Sequence, residues 1–139
     1  MLSLVYVSSA TEPFSPAELV TLLEKARRNN AAVGVTGMLL YKDGNFMQAI
    51  EGDDVVISEL HARIQRDPRH RGMITLLRRP IQERQFPNWS MGFVDLLDPV
   101  VRDLPGYSEF LDTSLTNLDV FCAHPSRAHK LLMSFKQTT

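Results

Sequence analysis

The order of apolar periodicities along these 139 residues predicts an α+β, ferredoxin-like fold. It reads strand, helix, two strands, helix, two strands, with two helices on one face of the sheet and a C-terminal helical cap on the other. Three observations carry that expectation. Runs of period two alternate with two segments of helical period. A complete helix-start signal stands at Phe14-Ser15-Pro16-Ala17-Glu18-Leu19. Asp43-Gly44 joins two apolar runs, a strong hairpin signal.

Residues 2–8 alternate as a strand, with Leu2, Leu4 and Tyr6 on one face and Val5 and Val7 on the other. Ser15 then caps the first helix. Glu18 completes a capping box, Pro16 takes the first helical position, and Phe14 with Leu19 forms a hydrophobic staple. Leu19, Leu22, Leu23 and Ala26 make the apolar stripe, Arg27 and Arg28 suit the last turn, and Asn29-Asn30 is expected to close the helix. Strands at 34–41 and 45–51 follow as antiparallel neighbours. A second helix from 53 to 67 is acidic in its first turn, carries Val56, Ile57, Leu60 and Ile64 at helical spacing, and stops near Pro68. Two more strands, near 73–80 and 89–96, flank a polar stretch at 82–88. Both faces of the early strands are apolar, and two helices cannot cover two faces. The tail from Asp98 is broken by Pro99, Pro105 and Gly106 into short helices near 107–111 and 125–135. It is expected to pack across the second face through Leu131, Leu132 and Phe135. The chain thus reads as one domain: a core at 1–97 and a helical extension at 98–139.

A hydrophobic content of 44% is ordinary for a globular domain, and a net charge of −1 gives no electrostatic reason to expect nucleic acid or a membrane surface. Cys122 is the only cysteine, so no internal disulfide framework or thiolate cluster can form. The apolar runs are too short for a membrane span, and the strand-like start has no basic leader; a reducing cytoplasm is the expected setting. No pair among His61, His70, His124 and His129 has a convincing ligand context, so no metal is expected.

The chemistry centres on an amide. Gln48 sits mid-strand on the face of Phe46 and Ile50, where an unpartnered amide costs about 1–3 kcal/mol. Its partners must come from neighbouring strands or from a bound polar ligand. Tyr6 on the first strand and Asn29-Asn30 at the helix end are the candidates, since the asparagine amides carry both donors and acceptors. Arg63 and Asp67 are one helical turn apart and can face one edge of a common ligand.

With Tyr6, Arg28-Asn29-Asn30, Gly34-Val35-Thr36-Gly37-Met38-Leu39-Leu40-Tyr41, Phe46-Met47-Gln48 and Glu51-Gly52 in order, the chain closely resembles the BLUF domains, blue-light sensors that use flavin. Arg63-Ile64, Asp67-Pro68-Arg69-His70 and the run from Arg84 to Phe93 extend the resemblance over residues 2–96. It implies a bound FAD, with FMN or riboflavin as alternatives, held by Tyr6, Asn29, Asn30, Gln48, Arg63, Asp67 and His70, with Asn30 the stronger ring contact of the two asparagines. It also implies a mechanism. Excited by blue light, the oxidised flavin takes an electron and a proton from Tyr6, the Gln48 amide rotates or tautomerises, and recombination leaves a red-shifted signalling state. Trp89 and Met91 match the family's responsive pair on the last strand, while Ala26 replaces a hydroxyl residue that some relatives use to bond the glutamine. A short member of this kind is expected to turn over no substrate and to act through its own oligomeric state or a separate downstream protein.

Taken singly, each of these residues has a plainer account. Tyr6 would be a core tyrosine, Asn29-Asn30 a helix stop, Arg63 with Asp67 a surface ion pair, Trp89 and Met91 packing, and His70 a helix-terminal residue. The basic run Arg69, Arg71, Arg78, Arg79 and Arg84 fits a solvated strand face, with an acidic partner or nucleotide phosphates as the alternative. Two other functions stay open: a light-insensitive interaction module, and a flavin-dependent oxidoreductase, although no nicotinamide-binding glycine fingerprint is present. An acylphosphatase, which shares the ferredoxin-like plan, ranks lower because Ser8-Ser9-Ala10-Thr11-Glu12 has neither an arginine nor a glycine-rich anion cradle.

Overall fold

The computed structural model describes residues 1–42, 44–86 and 130–132 and, as backbone, Gly92–Asp95. Its elements run β1 (Leu2–Ala10), α1 (Pro16–Ala32), β2 (Thr36–Lys42), β3 (Asn45–Gly52), α2 (Asp54–Gln65), β4 (His70–Pro80) and β5 (Gly92–Asp95). They form one five-stranded sheet of order β4-β1-β3-β2-β5. β1 pairs antiparallel with both β3 and β4, β2 pairs antiparallel with β3, and β5 joins β2 in parallel. This is the ferredoxin-like arrangement with one strand added.

Local chemistry accounts for the element boundaries. The Ser15 hydroxyl accepts from the Glu18 amide while the Glu18 carboxylate accepts from the Ser15 amide, so the capping box forms as expected. The far end of α1 differs from expectation: the helix passes Asn29-Asn30 and stops at Ala32, which leaves Arg27 and Arg28 short of its last turn. Glycine, not asparagine, turns the chain. Gly34 takes φ +71°, which lets the Val33 and Val35 amides both donate to the Asn30 carbonyl, at 3.2 and 2.9 Å. β2 therefore starts at Thr36, two residues later than its apolar run suggests. The Asp53 carboxylate caps α2 by accepting from the Val55 and Val56 amides. β4 starts three residues early, at His70, and absorbs the difference with register shifts against β1 and Gly72 at φ +65°.

Both helices pack on one face of the sheet. Leu19 and Leu23 of α1 and Ile57 of α2 join Leu2, Leu4, Tyr6, Leu39 and Ile50 in a single buried cluster. The opposite face is also withdrawn from solvent around its centre, with Val5, Met38 and Leu40 fully buried. Of the tail, Lys130 to Leu132 is helical and Leu132 is fully buried. Phe135 and the other expected tail helices lie outside the described residues.

β2 and β3 approach so closely at Gly37 that a Cβ there would stand 2.0 Å from the Ala49 carbonyl oxygen. Gly37→Ala is expected to destabilise the fold by about 1–3 kcal/mol through overpacking that only backbone movement can relieve. A lowered urea midpoint with unchanged slope would show this, whereas an unchanged midpoint would contradict so close a contact.

Candidate functional site

Antiparallel pairing of β1 with β3 sets Tyr6 directly opposite Gln48, both on the helix-covered face. Both side chains are buried, at 4% and 7% exposure, and the Tyr6 hydroxyl donates a short hydrogen bond to Gln48 Oε1. The amide oxygen that burial would otherwise leave unsatisfied is thereby paired, with the oxygen end of the amide facing the phenol.

Beside this pair lies a cavity of about 360 Å³, within the range that holds cofactor-sized ligands. Its walls come from α1, α2 and the sheet between them. Asn29, Asn30, Arg63, Asp67 and His70 all line it together with Tyr6 and Gln48, so every ligand-binding residue expected from the sequence converges on one space. The two asparagines differ: Asn29 is exposed, whereas Asn30 is buried. Aromatic packing supports the floor, with Phe14, Tyr41 and Phe46 mutually 4.8–6.2 Å apart at their centroids.

Several lining residues escaped the sequence reading. Ser8 follows Tyr6 by one period on the same face, and that periodicity was the available signal. Lys25, also passed over, and Arg69, which the sequence offered only within the basic run, add positive charge to the lining. Of the basic run, Arg69 alone among the described residues lines the cavity. Arg78 instead donates to Ser58 on α2, and Arg84 is engaged at the opposite end of the sheet. Asp67 does not pair with Arg63; it is gripped by the Arg69 guanidinium, which also holds its carboxyl below the usual aspartate range. His70 is the first residue of β4, and its ring serves the end of α2, the helix-terminal role expected of it. One ring nitrogen, Nε2, bonds the Ile64 carbonyl that ends α2, and its ring centroid lies 6.3 Å from that of Tyr6.

Two buried polar atoms among the described residues have no hydrogen-bond partner, Ser8 Oγ and His70 Nδ1, and both belong to cavity-lining side chains. Orphaned polar atoms of this kind are rare in a native protein unless something else supplies the partner. Together with the amides of Asn29 and Asn30, they fit a flat heteroaromatic ligand with donors and acceptors around its rim. Trp89 and Met91 lie outside the described residues. Among the described residues no group of three or more His, Cys, Asp or Glu side chains could hold a metal, and no helix is long and apolar enough to cross a membrane.

A model of the BLUF family, sensors of blue-light using FAD, matches residues 1–92. The beta subunit of photoactivated adenylate cyclase from Euglena longa is 40% identical over 90 residues, which cover 64% of this chain and 10% of that protein. The Euglena gracilis beta subunit is 39% identical over the same length, so the chain spans about a tenth of the curated relatives it matches. Among solved structures, the dark state of the BLUF protein BlrB superposes with a TM-score of 0.68 at 31% identity, covering 96% of both chains. Klebsiella pneumoniae BlrP1, solved with FMN and cyclic diGMP, superposes at 0.76 and 30% identity, covering 99% of this chain and 35% of that one.

Burial, aided by the nearby Asp67 charge, pushes the Tyr6 phenol above the ordinary tyrosine range. Because the folded value is the higher one, the associated stability is complete below the unfolded chain's value of about 10 and declines as pH rises beyond it. Ultraviolet titration of the folded protein is expected to show no tyrosinate from Tyr6 at that pH. Tyr6→Phe should therefore leave the absorbance rise unchanged; loss of one tyrosine's share of it would contradict the burial.

Proposed function

Because the chain belongs to the BLUF family, the sensors of blue light using FAD, we propose that its cavity holds the flavin and that Tyr6 and Gln48 are the photoactive pair. The protein is a blue-light photoreceptor that binds flavin. One observation carries the assignment of residues: the Tyr6 hydroxyl donates to Gln48 Oε1 inside a cavity that also gathers Asn29, Asn30, Arg63, Asp67 and His70.

Bound oxidised flavin supplies blue-light absorption and, once excited, an electron acceptor. Tyr6 is the donor. Its phenol is kept protonated by burial, so loss of an electron is coupled to loss of the hydroxyl proton along the existing hydrogen bond to Gln48. Gln48 can respond because an amide has a donor on one side and an acceptor on the other: rotation or tautomerisation reverses which groups each end serves. When electron and proton return to Tyr6, the rearranged amide persists, and the altered hydrogen bonding is the source of the red shift. Asn30, buried at the end of α1, is the principal ring-binding amide, with Asn29 at the exposed side. Arg63 and His70 complete the lining, and Asp67, neutralised by Arg69, contributes polarity without an isolated charge. The cationic Lys25, Arg63 and Arg69 suit a ligand with phosphates, which favours FAD or FMN over riboflavin.

We read residues 1–97 as the photosensor and 98–139 as its helical extension, with Trp89 and Met91 on the path between them. The likeness to BlrB, a BLUF protein, supports the photosensor reading; output to a separate protein or through the chain's own assembly, in the cytoplasm, is part of the same proposal.

Absorption spectra in darkness, after a blue pulse and during recovery test this reading. Flavin bands that shift red and return are expected, and Tyr6→Phe is expected to keep the flavin while abolishing the shift. Bleaching under light, or rapid NADH oxidation, would favour a redox enzyme; a protein that takes up no flavin would favour a light-insensitive module. Asn30→Ala is expected to weaken flavin binding by about tenfold or more through loss of a buried amide, measured as the Kd of the apoprotein for FAD.

A further inference from the structure

Glu51 follows Gln48 by three residues on β3 and therefore points to the opposite side of the sheet, away from the cavity. Only 1% of it is exposed. Its carboxylate accepts three hydrogen bonds: from the Thr36 hydroxyl at 3.1 Å, the Gln85 amide at 2.8 Å and the Phe86 amide at 2.6 Å. Arg84 reinforces the junction by donating to Thr36 Oγ1, to the Glu51 carbonyl and to the Gly34 carbonyl, at 2.9, 3.2 and 2.6 Å.

The topology explains what this junction holds. β4 and β5 are the two outer strands of the sheet, so the chain that joins them must cross the ends of β1, β3 and β2. It leaves β4 with the Ile81 amide on the Met1 carbonyl, and it is then fastened to β3 through Glu51, with Phe86 buried beside it. From there it leads to β5, which lies parallel to β2. A buried carboxylate is a costly way to glue a loop, and apolar packing serves stability as well or better. Its advantage is direction: two of the three bonds fix successive amides, those of Gln85 and Phe86, relative to one strand, so the crossing must follow when that strand moves.

We infer that Glu51 is a positioning residue for signal output, coupling the strand that carries Gln48 to the crossing chain that sets β5 against β2. The inference rests on the photosensor reading above, and it concerns transmission and not photochemistry. Motion of β3 on rearrangement of Gln48 is passed through the Glu51 carboxylate to residues 85 and 86 and thence to β5. Arg84 keeps the start of β2 in the same rigid unit.

The test uses the full flavin-loaded chain, with the red shift as one readout and hydrogen exchange of the β5 amides, Gly92–Asp95, in light and darkness as the other. In the unaltered protein both respond to light. Glu51→Gln preserves shape but cannot accept from all three donors. It is expected to keep the dark spectrum and the full red shift while reducing the light-dependent exchange difference at β5 by about twofold or more. Arg84→Lys, which keeps the charge and loses the fork, is expected to act in the same direction and decides the matter if Glu51→Gln does not fold. Absence of a red shift in the unaltered protein would sink the photosensor reading itself. A normal red shift with no exchange difference at β5, or both variants retaining the full difference, would overturn the coupling role. A variant that loses the red shift would overturn it too, by placing Glu51 in the photochemistry.

Discussion

A hydrogen bond across the β1–β3 ladder, from Tyr6 to Gln48, is the interaction on which the rest of this molecule depends. It satisfies the amide oxygen of a buried glutamine. It also ties the oxidisable group to the group that can reorient. The antiparallel register places the two residues opposite each other at the sheet centre, where neighbouring strands hold both backbones and solvent cannot compete. In water the same pair would exchange partners freely. Here the phenol is held neutral by burial, with its hydroxyl already bonded to the amide.

Around that bond the fold builds a cavity from ends and edges. The last turns of both helices and the first residue of β4 supply polar groups, while the sheet supplies the apolar floor. Helix ends suit this task because their backbone groups and capping side chains are not consumed by internal hydrogen bonds. The strand–helix contacts there are sparse enough to leave space for a flat ligand. Charge is managed locally: Asp67 is neutralised by Arg69, so the buried phenol faces a paired carboxylate and not an isolated one. Ser8 Oγ and His70 Nδ1, both on cavity-lining side chains, are left without a protein partner.

The opposite side of the sheet is organised by a second polar device. Glu51 and Arg84 sit where the chain must cross from one outer strand to the other, a passage that no regular ladder supports. Their hydrogen bonds replace the missing ladder. Because β3 carries Gln48 on one face and Glu51 on the other, the two sides of the sheet share one strand as a common part. That arrangement lets a change confined to one amide have a mechanical consequence beyond the cavity.

Much of this was legible in the residues because it is local. Capping boxes, strand alternation and the Asp-Gly turn depend on neighbours in sequence, so β1, α1, the β2–β3 pair and α2 could be read with small errors at their ends. A glutamine flanked by apolar residues of one period declared itself buried, and its likeness to a known ordered set of residues pointed to Tyr6 and the asparagines. What stayed hidden was non-local. The glycine that ends α1 in place of Asn30 is chosen by how the helix must turn into β2. The grip of Arg69 on Asp67, in place of Arg63, depends on where β4 begins. Ser8 was passed over because its period-two spacing from Tyr6 gives the face and does not by itself tell a serine in a site wall from any other strand serine. Glu51 and Arg84 lie 33 residues apart, and no periodicity relates them. The sequence by itself determined most of the elements through short-range pattern, and its ordered motifs carried the resemblance to the family and with it the expectation for Tyr6 and Gln48. Only the tertiary structure decided which charges pair, which polar atoms are left without partners, and how the two outer strands are tied together, because each depends on groups brought close by the strand order and not by the chain.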